Sequence, residues 1–194
     1  MTNVLIPFDD AAIAAEVVAS TQRWLERAVI GLNLCPFAKA VHVKRQIRYA
    51  ATAATTSEAL LAELDHELAL LAQANPEEID TTLLIHPRAM TDFIDFHFFL
   101  QRADAANKIL GLEGNVQIAS FHPAYEFADS APDDVANFTN RSPHPTLHLL
   151  REASVDRAVA AFPDAAAIYE RNIETLHRLG HEGWRRLWTP DPAS

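Results

Sequence analysis

An alternation of short apolar segments with amphipathic helical segments constrains the fold of this chain more than any other feature. Apolar segments at 46–53, Thr81–Ile85 and Val116–Phe121 are typical of strands. Helical periodicity covers about 55–75, with Thr55 and Glu58 as a capping box, and about 91–110. Strand starts about 35 residues apart are typical of β-α-β units with right-handed crossovers. We therefore predict an α/β fold with a β-α-β-α-β core and a mostly parallel sheet.

The segments outside this core predict a single globular domain over residues 1–194. A helix at 11–32, capped by Asp9 or Asp10, precedes the core at 46–122. A polar segment at 123–151 follows, with a helical turn near 133–138 and a strand at 146–150. Helices at 154–179 close the chain, and Ser154 and Asp164 are their expected caps, with Gly180 as the expected end.

The charge balance excludes some classes of partner. Sixteen Lys and Arg against 26 Asp and Glu give a net charge of −10, whereas nucleic acids and anionic membranes favour a basic surface. The single cysteine excludes an intrachain disulfide and a multi-cysteine zinc site. No apolar run reaches the roughly 18 residues of a membrane span, and no basic region of a secretory signal begins the chain. We therefore expect a cytoplasmic protein that binds neither nucleic acid nor membranes.

Two segments without acidic residues stand out on this acidic chain. The first, at 27–57, carries five basic side chains: Arg27, Lys39, Lys44, Arg45 and Arg48. The second, at 135–151, carries Arg141 and Arg151. If the segments meet in space, they form a basic pocket in which arginine binds a phosphate or carboxylate with two hydrogen bonds. Alternatively, the same side chains form weak surface pairs with the many acids elsewhere.

Two of the predicted strands end in His-Pro, at His86-Pro87 and at His122-Pro123. Because ligands of open α/β sheets bind outside the carboxyl ends of the strands, both histidines lie where an acid–base group is expected. They are also candidate metal ligands, although their spacing matches no compact metal motif. The alternative is structural: the prolines end the strands and the imidazoles bond to loop carbonyls.

Cys35 and the polar segment supply the remaining candidates. If Pro36 begins a short helix, Cys35 is its N-cap, and the helix dipole lowers the pKa of a nucleophilic thiol. Alternatively, Cys35 is a buried apolar residue, which the neighbouring Leu34 and Phe37 favour. A long loop held on a sheet is a common place for binding groups. In the polar segment at 123–151, the candidate site residues besides the arginines are Tyr125, Asn140, Ser142 and His148.

Several motifs resemble those of a known family. They are GLNLCPFA at 31–38, TLLIHP at 82–87, QIASFHP at 117–123, NRSP at 140–143 and LHLLRE at 147–152. Together they resemble a bacterial family catalogued as domain of unknown function 1415, over about residues 24–179. The resemblance implies a bacterial, soluble, single-domain protein, and it carries no reaction, cofactor or catalytic residue.

The leading functional hypothesis is an enzyme that acts on a small anionic metabolite at the carboxyl edge of the sheet. Its catalytic candidates are His122, His86, Cys35 and Tyr125. Its substrate-binding candidates are Arg141, Arg151, Arg48, Asn140, Ser142 and His148. One alternative is a non-catalytic module that binds a ligand or a protein, which the aromatic segment at 184–188 favours. Another is a metal enzyme with histidine ligands. The residues identify no cofactor.

Overall fold

The N-terminal helix begins and continues as its sequence predicts. In the computed structural model, which describes residues 5–161 and 167–189, Asp10 accepts a hydrogen bond from the backbone N–H of Ala12. Helix α1 then covers Ala11–Trp24 and continues as a π-helical segment over Leu25–Ile30. The helix predicted at 11–32 thus ends at Ile30, two residues early, and Asp10 is its cap.

The other elements follow the predicted order along the chain. The helices are α2 (Ala38–Val43), α3 (Ser57–Gln73), α4 (Phe93–Ile109), α5 (Glu152–Ala160) and α6 (Ala167–Arg186). The strands are β1 (Ile47–Ala51), β2 (Thr81–Ile85), β3 (Val116–Phe121) and β4 (Thr146–Arg151). A 3-10 turn over Val135–Thr139 lies in the polar segment between β3 and β4, where the sequence predicts a helical turn.

The strand order is β1-β2-β4-β3, and the predicted mostly parallel sheet is wrong. Only β1 and β2 pair in parallel, whereas β4 pairs antiparallel with both β2 and β3. The reason is that β4, after the long polar loop, enters between β2 and β3. Since β4 is antiparallel to both neighbours, β1, β2 and β3 still run in one direction. Their carboxyl ends therefore share one edge of the sheet with Thr146 at the start of β4.

Two helical layers cover the sheet. On one face, α3 and α4 pack Leu64, Leu68 and Phe96 against Leu84 and Leu147 in the largest core cluster. The other face carries the alternate residues of β2, and Leu83 and Ile85 pack there in a cluster with Val17 of α1. Alternating sides along a strand explain why neighbouring residues of β2 serve different clusters.

Two predicted helix starts need correction. Thr56, rather than Thr55, caps α3, because its side chain accepts the hydrogen bond from the N–H of Ala59. Helix α5 begins at Glu152 without a side-chain cap. Ser154 lies inside it and donates instead to Asp80 at 2.6 Å.

The last helix extends beyond its predicted end. Gly180 has a φ of 64° and forms a kink, after which the helix continues to Arg186. A residue without a Cβ tolerates this left-handed backbone at little cost. The aromatic segment that starts at Trp184 is therefore partly helical. The expected cap Asp164 lies outside the described residues. No helix among the described residues has the length and apolar character needed to cross a membrane.

Candidate functional site

A cavity of about 630 Å³ lies between α1, the polar loop and the end of α6. It is formed at the carboxyl end of β3, since Pro123 follows that strand and Arg141 to Pro143 lead into β4. Its volume is typical of clefts that hold small molecules. The lining residues are Ser20, Arg23, Trp24, Arg27, Pro123, Phe138, Arg141, Ser142, Pro143, Trp184 and Trp188. We call it the arginine–tryptophan cavity.

The polar loop fixes the side chain of Arg141 and leaves some of its N–H groups without a hydrogen-bond partner among the described residues. Its Nε donates to the carbonyl of Tyr125 at 3.0 Å, and its Nη2 donates to that of Pro132 at 2.8 Å. The guanidinium lies 5.0 Å from the ring centroid of Phe138. Within the part of the chain that the structure describes, its Nη1 has no hydrogen-bond partner. Burial lowers the pKa of Arg141, but an arginine stays charged at any ordinary pH. The loop thus presents a fixed cation to the cavity.

Two further arginines reach the cavity from the N-terminal helix. Arg27 donates from Nη1 to the carbonyl of Leu187 at 2.7 Å. Its Nε and Nη2 have no partner among residues 5–161 and 167–189. Arg23 pairs with Glu16 at 2.6 Å, and both side chains are largely exposed, where such pairs are weak. Arg27 and Arg141 come one from each acid-free segment, so these segments do meet in space, through these two residues.

Aromatic rings form the rest of the wall. Trp184 stacks on Phe138 with centroids 4.5 Å apart and an interplanar angle of 5°. Trp24 is buried, and its ring meets Phe121 edge-on at 5.1 Å. Trp188 meets Trp184 edge-on at 5.5 Å and remains 40% exposed. The wall therefore contains rings that pack the fold together and one ring, Trp188, with open surface.

A serine–histidine pair borders the cavity, and the sequence analysis did not identify it as a pair. Ser20 Oγ donates to the carbonyl of Val17 at 3.0 Å and lies 3.0 Å from Nε2 of His144. Burial lowers the pKa of His144, so the imidazole is neutral at pH 7. The one available signal was His144-Pro145, a third His-Pro in the polar segment. Its partner lies 124 residues away along the chain, a separation that no local pattern reveals.

His86 and His122 lie together at the sheet edge, and neither of them lines this cavity, although Pro123, which follows His122, does. Both are buried, and their rings lie 5.7 Å and 5.2 Å from that of Phe96. His86 Nδ1 lies 3.0 Å from the carbonyl of Ala89, and His122 Nε2 lies 3.2 Å from that of Met90. These contacts match the structural alternative of the sequence analysis, in which the histidines bond to loop carbonyls.

The two imidazoles differ in their remaining nitrogen atoms. His122 Nδ1 accepts a hydrogen bond from the N–H of Ala124 at 3.0 Å. His86 Nε2 is buried and has no hydrogen-bond partner among the described residues. Burial lowers the pKa of His86 to about 4 and also lowers the pKa of His122. Both rings are therefore neutral at pH 7.

Two of the predicted anion-binding arginines have other partners. Arg48 on β1 forms two hydrogen bonds with the buried carboxylate of Glu67 on α3, at 2.7 and 2.9 Å. Arg151 at the end of β4 donates from Nη2 to the carbonyls of Leu71 and Ala74, at 2.5 and 2.7 Å. Neither residue lines the arginine–tryptophan cavity. Their contacts are those of residues that join structural elements.

Cys35 is not a helix cap. Helix α2 begins at Ala38 with Phe37 as its N-cap, and the expected helix start at Pro36 is wrong. The thiol packs against the cluster that contains Trp24. Burial raises the pKa of Cys35 more than the hydrogen bonds from the backbone of Phe37 and Ala38 lower it. Its environment is therefore opposite to that expected for a reactive thiolate.

The other candidates of the polar segment mainly hold its backbone. Asn140 Nδ2 donates to the carbonyl of Ser120 at 3.1 Å. Ser142 lines the cavity and donates to the carbonyl of His144 at 2.6 Å. Tyr125 packs its ring on Phe93 at 5.2 Å.

His148 lies on β4, outside the cavity. Its Nε2 is 2.7 Å from Oγ1 of Thr81, and burial lowers the pKa of His148 to about 4.

The structure brings only some of the predicted site residues together. Arg141 and Ser142 both line the cavity, and His86 and His122 lie together elsewhere at the sheet edge. Among residues 5–161 and 167–189, no group of three or more His, Cys, Asp or Glu side chains is placed to hold a metal ion.

The class that fold and site define is a mixed α/β protein with a basic, aromatic-lined cavity at one sheet edge. The chain belongs to the family described as protein of unknown function DUF1415, whose model matches residues 16–186. The resemblance seen in the sequence motifs is thereby confirmed. No curated protein and no solved structure matches the chain significantly.

Proposed function

We propose that this protein binds a small anionic metabolite, with a phosphate or carboxylate group, in the arginine–tryptophan cavity. One observation carries the proposal: three arginines line the cavity, and none of the described lining residues is acidic. This contrasts with the chain as a whole, whose net charge is −10. A concave site of one sign on a surface of the other sign concentrates ligands of complementary charge.

Hydrogen-bonding capacity supports the same proposal. Arg141 and Arg27 each direct part of the guanidinium to backbone carbonyls. These bonds hold the side chains in place while other N–H groups remain for a ligand. A fixed guanidinium loses little conformational entropy on binding, and it forms two parallel hydrogen bonds to one phosphate or carboxylate. The arrangement therefore favours recognition of an anionic group over simple charge attraction.

Calorimetric titration of the purified protein with a panel of phosphorylated and carboxylate metabolites tests the proposal. We expect at least one anion to bind, and Arg27→Ala and Arg141→Ala to weaken it by about tenfold or more each, since a hydrogen bond to a charged group contributes about 1.5–3 kcal/mol. Arg141→Lys keeps the positive charge but removes the planar guanidinium, so it distinguishes the contribution of charge to binding from that of two parallel hydrogen bonds. Arg102→Ala, which removes an exposed arginine of α4 outside the cavity, is the matched control. Binding that survives both cavity variants would overturn the proposal.

The Ser20–His144 pair favours a second candidate function, hydrolysis of an anionic ester bound in the cavity. His144 Nε2 takes the proton of Ser20 Oγ as the oxygen bonds to the acyl carbon. The leaving alcohol then takes this proton, and water releases the acid by the reverse sequence. A fluorophosphonate probe, which loses fluoride to a nucleophilic serine, tests the pair. Labelling at Ser20 that is lost in His144→Gln supports hydrolysis, whereas absence of labelling leaves binding as the function.

A further inference from the structure

We infer that the ligand of the arginine–tryptophan cavity carries a planar aromatic ring joined to its anionic group, in a molecule about the size of a nucleoside monophosphate. This inference rests on the proposed anion binding and adds the chemical class of the ligand. It starts from the distribution of one residue type. The chain contains three tryptophans, and all three, Trp24, Trp184 and Trp188, line this single cavity.

Packing accounts for two of the three rings. Trp24 is 3% exposed and belongs to the core cluster of the N-terminal helix. Trp184 packs against two core clusters and stacks on Phe138, so it fixes the end of α6 to the polar loop. Both rings thus have a structural role that explains their size, and each still presents an apolar surface to the cavity.

Packing does not account for Trp188. This ring belongs to none of the core clusters formed by the described residues, and it is among the exposed large hydrophobic side chains. Its one ring contact with a described residue is the edge-on contact with Trp184 at 5.5 Å. An indole that borders a cavity with open surface offers a face for another flat ring, and such stacking is tolerant of the ring's identity.

The arginines and the open indole line one cavity, and this juxtaposition selects the ligand. Inorganic phosphate or a small carboxylate would use the arginines and leave the indole exposed. A neutral aromatic molecule would use the indole and leave the free guanidinium donors of Arg27 and Arg141 without an anion. A ring joined to a phosphate or carboxylate satisfies both. A cavity of about 630 Å³ is large enough for a ligand of this size.

The location of all three tryptophans makes the test direct, because every indole that fluoresces lies at the cavity. We would titrate the protein with phenyl phosphate and with the adenosine, guanosine, cytidine and uridine 5′-monophosphates. Three further ligands are the matched controls. Ribose 5-phosphate and inorganic phosphate lack the aromatic ring, and adenosine lacks the anionic group. We expect a ligand with both groups to quench the fluorescence and to bind at least about tenfold more tightly than ribose 5-phosphate or adenosine.

Trp188→Ala identifies the ring contact. We expect it to weaken the ring-bearing phosphate by about tenfold and ribose 5-phosphate by less than about twofold. Phe98→Ala, which removes an exposed aromatic ring of α4 outside the cavity, should change neither affinity. Equal affinities for ring-bearing and ring-free phosphates, unchanged in Trp188→Ala, would overturn the inference while anion binding stands. Absence of binding by every anion, ribose 5-phosphate included, would overturn the proposed function itself.

Discussion

The histidine pair at the sheet edge and the arginine–tryptophan cavity both lie near the carboxyl end of β3, yet they use their polar groups differently. His86 and His122 each lie within hydrogen-bond distance of a loop carbonyl and are buried. Arg27 and Arg141 also bond to carbonyls, but each lines an open cavity and keeps N–H groups without a partner among the described residues. A polar residue at a strand end is therefore a weak indicator of a site. Donors that the fold leaves unused beside a cavity are a stronger one.

The arginines show the same difference within one residue type. Arg48 and Arg151 bond to Glu67 and to backbone carbonyls at the end of α3, and they join neighbouring elements. Arg27 and Arg141 line the arginine–tryptophan cavity. We expect substitutions in the first pair to reduce stability and substitutions in the second pair to reduce ligand binding.

The largest expected effect is that of Arg48→Ala on stability. Because Glu67 is fully buried, the variant leaves a carboxylate without its partner, at a cost of about 3 kcal/mol in the free energy of unfolding. Urea unfolding followed by circular dichroism measures this change. Arg102→Ala is the control, since its partner Glu58 is exposed and the expected loss is below about 1 kcal/mol. If the Arg48→Ala protein had normal stability but failed to bind the anion, Arg48 would be a binding residue, and the contrast between the structural arginines and the cavity arginines would be wrong.

The pH dependence of stability tests the histidine pair. A pKa of about 4 for folded His86, below the ordinary 6.5, means that the unfolded chain binds the proton more readily. Stability is therefore fully present above pH 6.5 and decreases as the pH falls from 6.5 towards 4. Protonation would also place an N–H at the buried Nε2, which has no partner among the described residues.

We expect His86 to account for a loss of about 2 kcal/mol between pH 7 and pH 4.5. The measurement is urea unfolding at both values for the wild-type protein and for His86→Gln, which should lose less on acidification. Phe96→Leu disturbs the same packing without removing a titratable group, so it should lower stability about equally at both values. A His86→Gln protein with the pH dependence of the wild type would show that His86 is not the sensitive group.

Trp184 belongs to the structural part of the cavity wall and Trp188 to its open part. We therefore expect the alanine variants of the two residues to lose different amounts of protein stability. Trp184→Ala removes a ring that stacks on Phe138 and contacts two core clusters, so we expect a loss of about 2 kcal/mol. Trp188→Ala removes a partly exposed ring and should change stability by about 0.5 kcal/mol or less. Thermal unfolding of both variants measures the difference. Equal losses would mean that Trp188 also holds the fold together.

Local sequence signals predicted most of the elements but not their arrangement. The runs at Thr81–Ile85 and Val116–Phe121 coincide with β2 and β3, because a short apolar run between turn residues is itself a strand signal. The position of β4 between them depends on pairings across the long loop, about which its own residues carry no information. The prediction of a parallel sheet rests on the alternation of strands and helices alone. This alternation contains no information that β4, the last strand in the chain, lies between β2 and β3.

The candidate site was predictable only in part, for the same reason. Of the arginines in the acid-free segments, Arg141 was a predicted binding residue, whereas Arg27 was not. The aromatic segment at 184–188 favoured only a binding module, and nothing local indicated that these residues share a cavity. Whether an arginine is available depends on which carbonyls lie near it after folding. Arg151 and Arg141 look alike in sequence, and only the folded chain places one against the end of α3 and the other beside open space.

The smallest effect concerns Cys35, which lies close to Trp24 in the same cluster but has no role in the proposed binding. Because burial raises its pKa, less of the thiol is ionised at pH 8 than in an unfolded chain, and access is restricted as well. We expect Cys35 to react with a disulfide reagent at least about tenfold more slowly in the folded protein than in urea. Since the chain has one cysteine, the reaction reports on this position alone. A folded-state rate above the unfolded one would mean that the thiolate is stabilised after all, and the nucleophile hypothesis for Cys35 would then regain its physical basis.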